Sequence, residues 1–77
     1  MNVSKREYII QCKLGGILNE RGLTQHAMAD LCGVKQGSIS RIINGNKRYH
    51  YEHLIRIADA LELTVPDLFE IERKDEK

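Results

Sequence analysis

Residues 25–44 read QHAMADLCGVKQGSISRIIN. Two helical stretches meet here with almost nothing between them. Ala27, Met28, Leu31 and Cys32 recur at helical spacing and stop at Gly33. Ile39, Ile42 and Ile43 form the next stripe and stop short of Gly45. Gly33 can take the left-handed conformation that turns a chain sharply. Val34 plugs the corner, and Ala29 is small enough to let two helices cross closely. Ile39 and Ile42 then anchor the second helix on the first.

Counted from Gln25, alanine stands fifth and glycine ninth, with apolar residues tenth, fifteenth and eighteenth. Any one of these matches is common. All five together, followed by Asn44-Gly45 and a basic loop, make a helix-turn-helix pattern. At about 100° per residue, the second helix gathers Ile39, Ile42 and Ile43 on one side. The other side is centred on Gly37 and Arg41, flanked by Gln36 and Ser40. It carries no acid and no large apolar group. A DNA major groove is about 12 Å wide and just admits a helix. Small residues let the helix sit deep, and the charge supplies attraction.

Roles follow from that placement. Gln36 can bond adenine through N6 and N7, and Arg41 can pair with guanine O6 and N7. Ser40 reaches a base edge, and Gly37 leaves room for a thymine methyl. Ser38 is placed to reach phosphate. Gln25 opens the preceding helix, where side chain and helix dipole suit a phosphate. Lys35, Asn44, Lys47 and Arg48 surround the reading face and would grip the DNA backbone.

The rest of the 77 residues agrees with a small helical domain. Leu14, Ile17 and Leu18 form a stripe ending at Gly22, and Leu54, Ile57, Ala58 and Leu61 form another. Val65, Leu68 and Phe69 make a short fifth, capped by Thr64 with Pro66 in its first turn. Thr24 is the N-cap expected for the helix at Gln25. The start is open to two readings. Ser4 and Glu7 form a capping-box pattern that favours a first helix over about residues 5–21. Gly15-Gly16 disfavours it by about 2 kcal/mol against two alanines. The alternative is an extended lead-in through Cys12. The reading adopted is an all-α, compact bundle of five short helices in a single domain over residues 1–77. Residues 1–12 are a lead-in or the start of helix one, and residues 71–77 are a charged tail.

Charge is asymmetric although the net is only +1. Residues 1–51 hold eight Lys/Arg against three Asp/Glu, whereas residues 52–77 hold four against eight. A basic face can find phosphates while the acidic end stays away. No apolar run is long enough to span a membrane, and the N-terminus lacks a signal-peptide layout, so a cytoplasmic protein is expected. Cys12 and Cys32 are expected as free thiols, and with His26, His50 and His53 they fit no zinc spacing. No nucleophile–base set or phosphate loop marks an enzyme, and no cofactor is implied.

Residues 21–48, RGLTQHAMADLCGVKQGSISRIINGNKR, followed by LIRIADALELTVPDLFE at 54–70, resemble the Cro and phage-repressor-like (Xre) helix-turn-helix family. The likeness covers about residues 13–70. It implies a lambda-repressor-like DNA-binding domain, in a bacterial or phage transcriptional regulator that binds palindromic operators as a homodimer. The family's phosphate-binding glutamine maps to Gln25, and its base readers map to Gln36, Gly37 and Arg41. Departures are His26 where the family often has Glu, Ile43 where an acid usually precedes Asn-Gly, and Tyr49-His50 where Pro and Ser or Thr are usual. Gly37 replaces a common polar reader. A repressor is expected, dimerising through Leu68, Phe69 and Ile71, with Tyr8, Ile9 and Ile10 as the other candidate surface. The competing reading is a protein-interaction module, such as an antitoxin or anti-regulator, that binds a protein partner with the same fold.

Overall fold

A computed structural model describes residues 7–74. Its elements are strand β1 (Glu7–Cys12), helices α1 (Leu14–Glu20), α2 (Gln25–Cys32), α3 (Gln36–Ile43) and α4 (Tyr51–Ala60), a 3-10 turn (Val65–Leu68) and strand β2 (Phe69–Lys74). Among the described residues the domain is therefore four α-helices plus a two-stranded antiparallel sheet, and not an all-α bundle of five helices.

The start of the described chain is extended and not helical. Residues 7–12 form a strand, and the first helix begins at Leu14, so the extended lead-in is the reading that holds. Ser4 of the expected capping box lies outside the described residues. Tyr8, Ile9 and Ile10 suit a pleated strand better than a helix. The end differs from the expected fifth helix and tail as well. Val65–Leu68 makes one 3-10 turn, and residues 69–74 pair with β1 instead of forming a helix and a tail. Glu7 faces Lys74, Ile10 faces Ile71 and Cys12 faces Phe69. A bond from the Lys13 N–H to the Leu68 carbonyl at 2.7 Å continues the pairing into the body.

The helices share one aliphatic core. Leu14 and Leu18 enter from α1, and Met28 and Cys32 from α2. Ile39 and Ile42 come from α3, and Leu54, Ile57 and Ala58 from α4, with Val34, Leu61 and Leu68 filling between. Leu31 belongs to the helical stripe by spacing but is 58% exposed, because α2 turns it away from both α3 and α4. Gly15 brings α1 close to α3: a Cβ there would sit 3.2 Å from Ile43 Cγ2. The Arg21 guanidinium donates to the Leu61 carbonyl at 3.0 Å, tying the C-terminal ends of α1 and α4 together.

Local caps explain the boundaries. Thr24 Oγ1 accepts from the Ala27 N–H at 3.0 Å and starts α2. Thr64 donates through both its N–H and its hydroxyl to the Asp67 carboxylate, which holds that carboxyl below its usual pKa. Helices α1, α3 and α4 end alike. The N–H of Leu23, Asn46 and Leu63 returns to the carbonyl of Leu18, Arg41 and Ala58 respectively. Gly22 and Gly45 take the left-handed position in the first two. In α4 that position falls to Glu62, at φ 60.

A left-handed non-glycine residue costs about 1–2 kcal/mol, and a new glycine adds unfolded-state freedom worth about 0.4–1 kcal/mol. Glu62→Gly is thus expected to raise stability by about 0.5–1 kcal/mol, the balance of those two terms. The urea midpoint reads it. An unchanged or lower midpoint would show that the glutamate offsets its own strain.

Candidate nucleic-acid interface

The geometry of residues 25–44 follows their pattern closely. Gly33 ends α2 at φ 74 and its N–H reaches the Ala29 carbonyl at 2.9 Å. Two residues later Lys35, in extended conformation, opens α3. Val34 fills the corner at 3% exposure. Ile39 and Ile42 are buried, so α3 is pinned along its inner side and cannot turn over.

The outer side of α3 carries Gln36, Gly37, Arg41 and, just past its end, Asn44, all exposed. Gly37 has open space where a Cβ would be. Ser40 is half-buried at one margin, on the flank where α1 approaches Ile43. The opposite margin departs from expectation. Ser38 is buried, at 9% exposure, and its hydroxyl accepts from the Arg41 guanidinium at 3.4 Å. The buried side of α3 is Ser38, Ile39 and Ile42, with Ile43 only half-buried. The helix is rotated from the orientation implied by its three isoleucines: Ser38 is covered, while Ile43 meets α1 at Gly15 and stays half-exposed. Ser38 is thus mostly covered, and its hydroxyl faces the groove beside the Arg41 guanidinium.

Gln25 sits half-buried as the first residue of α2, directly after the Thr24 cap. Lys35, Lys47 and Arg48 are exposed around α3. Arg48 is fixed in place by its N–H, which donates to Asn46 Oδ1 at 2.7 Å. Between Asp30 and Glu52 the chain has no acidic residue. The carboxylate of Glu52 is itself engaged by Arg56, at 2.9 Å.

A groove of about 740 Å³ runs along the Arg41 flank of α3. Lys35, Ser38 and Arg41 form one wall, and Arg48, Tyr49, His50 and His53 the other. The His50 and His53 rings meet edge to face at 5.2 Å. In the sequence Tyr49 and His50 stand out as departures from the family pattern, and His50 and His53 as histidines that fit no zinc spacing. Their position beside Arg41 depends on how α4 docks against α2, which no local pattern announces. Both cysteines are free thiols, with Cys32 in the core and Cys12 half-buried. Burial raises the Cys12 thiol above its ordinary pKa.

Among the described residues no group of three His, Cys, Asp or Glu is arranged to hold a metal, and no helix is long and apolar enough to cross a membrane. Of the proposed dimer residues, Leu68 is wholly buried and cannot meet another folded copy. Phe69 is half-buried against the core, and Ile71 is 59% exposed. A model described as helix-turn-helix matches residues 17–68, which includes α2, α3 and α4 and leaves out the sheet. No curated protein matches the chain.

Proposed function

The chain belongs to the Cro/C1-type (Xre-like) helix-turn-helix family, and from that membership we propose that it is a sequence-specific double-stranded DNA-binding transcriptional regulator. It inserts α3 into the major groove and represses from a palindromic operator, as a cytoplasmic homodimer that acts by binding and not by catalysis. The observation that carries this reading is the outer face of α3. It is free of acid and bulk, it is rimmed by Lys35, Lys47 and Arg48, and it is held outward by Ile39 and Ile42.

In this reading Gln36 and Arg41 read bases, Gly37 gives room for a thymine methyl, and Ser40 reaches a base edge from the α1 side. Gln25, Lys35, Asn44, Lys47 and Arg48 hold phosphates and set the register. Ser38 reaches a phosphate from the groove it lines beside Arg41. A single domain offers a small interface, so two copies read half-sites about 34 Å apart.

The test is fluorescence anisotropy of the purified protein on DNA from upstream of its own gene, beside a scrambled duplex, at two salt concentrations. Binding about a thousandfold tighter to the native duplex is expected. Equal weak binding to both, lost with salt, would overturn the reading for that operator and turn the search to a protein partner. Within the same assay Lys47→Ala should weaken all duplexes alike and reduce the salt slope by about one. An unchanged slope would remove Lys47 from the phosphate contacts.

A further inference from the structure

We propose that the open edge of β1 pairs antiparallel with β1 of a second copy of this chain, with Ile9 opposite the partner's Ile9, to give a four-stranded sheet. This rests on the dimeric reading above and supplies its surface.

The two edges of the sheet are unlike. Strand β2 carries Glu70, Glu72, Arg73 and Lys74, and charge of this kind keeps an edge from recruiting another strand. From Tyr8 to Cys12, β1 carries none. An isolated two-stranded ribbon is marginal in water, and this one leaves large apolar groups uncovered. Directly paired residues share a face. On one face Cys12 and Phe69 rest against the core, then come Ile10 and Ile71, then Tyr8. Tyr8, Ile10 and Ile71 are 54%, 49% and 59% exposed. The domain measures 47 × 23 × 21 Å, far longer in one direction than in the others.

Symmetry selects the register. A two-fold axis through an antiparallel pair of identical strands stands perpendicular to the sheet and maps each face onto itself. The pairing must therefore be centred on a residue. Centred on Tyr8, it sets Ile9 against the charge of the partner's Glu7. Centred on Ile10, it drives Tyr8 against the partner's Cys12, where the ribbon joins the partner's body. Centred on Ile9, it sets Tyr8 against the partner's Ile10 and Glu7 against the partner's Gln11. Apolar groups then meet apolar groups, and no like charges lie directly opposite. The stripe Ile71–Ile10 continues across the axis onto the partner's Tyr8.

The ribbon also leaves the body in the right place. Ile10, Cys12 and Phe69 share a small cleft with Ile42, Asn46 and Lys47. The root of the ribbon thus sits beside the end of α3.

The test is sedimentation equilibrium of the full chain without DNA, across a concentration series. Wild type is expected to be a dimer. Ile9→Lys, which puts a charge on the edge, is expected to be a monomer at the same concentrations, with unchanged helical circular dichroism. Leu31→Lys, an exposed apolar residue on α2, should leave the dimer intact. An independent variant, Ile9→Cys, should form a disulfide-linked dimer on oxidation that neither wild type nor Gln11→Cys forms. A monomeric wild type, a dimeric Ile9→Lys, or an Ile9→Cys that stays uncrosslinked would overturn the pairing. A monomeric wild type that still binds a half-site duplex would refute the sheet and leave the DNA reading standing. A dimer that binds no duplex would do the reverse.

Discussion

Replacing Ile39 by alanine is expected to lower the unfolding free energy by about 2–5 kcal/mol. Ile39 is wholly buried, and it is the residue through which α3 leans on α2 and on the core. A chain of this size holds about 4–12 kcal/mol in total, at roughly 0.05–0.15 kcal/mol per residue, so the change removes a large share of it. Urea unfolding followed by circular dichroism reads the loss as a lower midpoint at unchanged slope. Ile43→Ala is the comparison. It has the same helix and similar chemistry, but Ile43 is only half-buried, and the cost should stay under about 1.5 kcal/mol, in proportion to the smaller area removed from water. Equal losses at the two positions would mean that α3 is not held by the side described above.

Arg41→Ala is expected to leave stability nearly unchanged, because the side chain is exposed and its bond to Ser38 is long. On the cognate duplex it should cost about 1–3 kcal/mol of binding and relax base choice at one position. In dissociation constants that is roughly five- to 150-fold, at 1.4 kcal/mol per factor of ten. Anisotropy against a panel of single-base variants reads both parts. Arg41→Lys keeps the charge but loses the two-pronged fork. It should restore general affinity without restoring the base preference. If Arg41→Ala weakens random DNA as much as the cognate site, Arg41 holds a phosphate and the reading of bases falls to Gln36 and Ser40.

Helix placement was legible in the residues wherever the cause was local. Thr24 caps α2 because its hydroxyl finds a backbone N–H three residues on. Gly33 turns the chain because nothing at its Cα obstructs a positive φ. The α4 stripe of Leu54, Ile57, Ala58 and Leu61 is buried throughout, as its spacing requires. In the candidate site, Gln36, Gly37 and Arg41 lie on the outward face, for the same reason of helical period. Leu31 and Ser38 went the other way. Periodicity says which residues share a side, but the width of that side depends on the neighbours. Leu31 stays in water on α2, and Ser38 lies under cover on α3.

The sequence by itself determined the helical stripes, the Thr24 cap, the turn at Gly33 and the polar, basic face of α3, since each depends on residues within a few positions of one another. The tertiary structure alone decided the ribbon and the second wall of the groove. Whether Tyr8–Ile10 is helix or strand depends on a partner at residues 71–73, about sixty positions away, whose hydrogen bonds become available only when the core has brought the two ends together. Tyr49, His50 and His53 come to Arg41 by the same route, through the docking of α4, so the physics that places them is packing and not propensity.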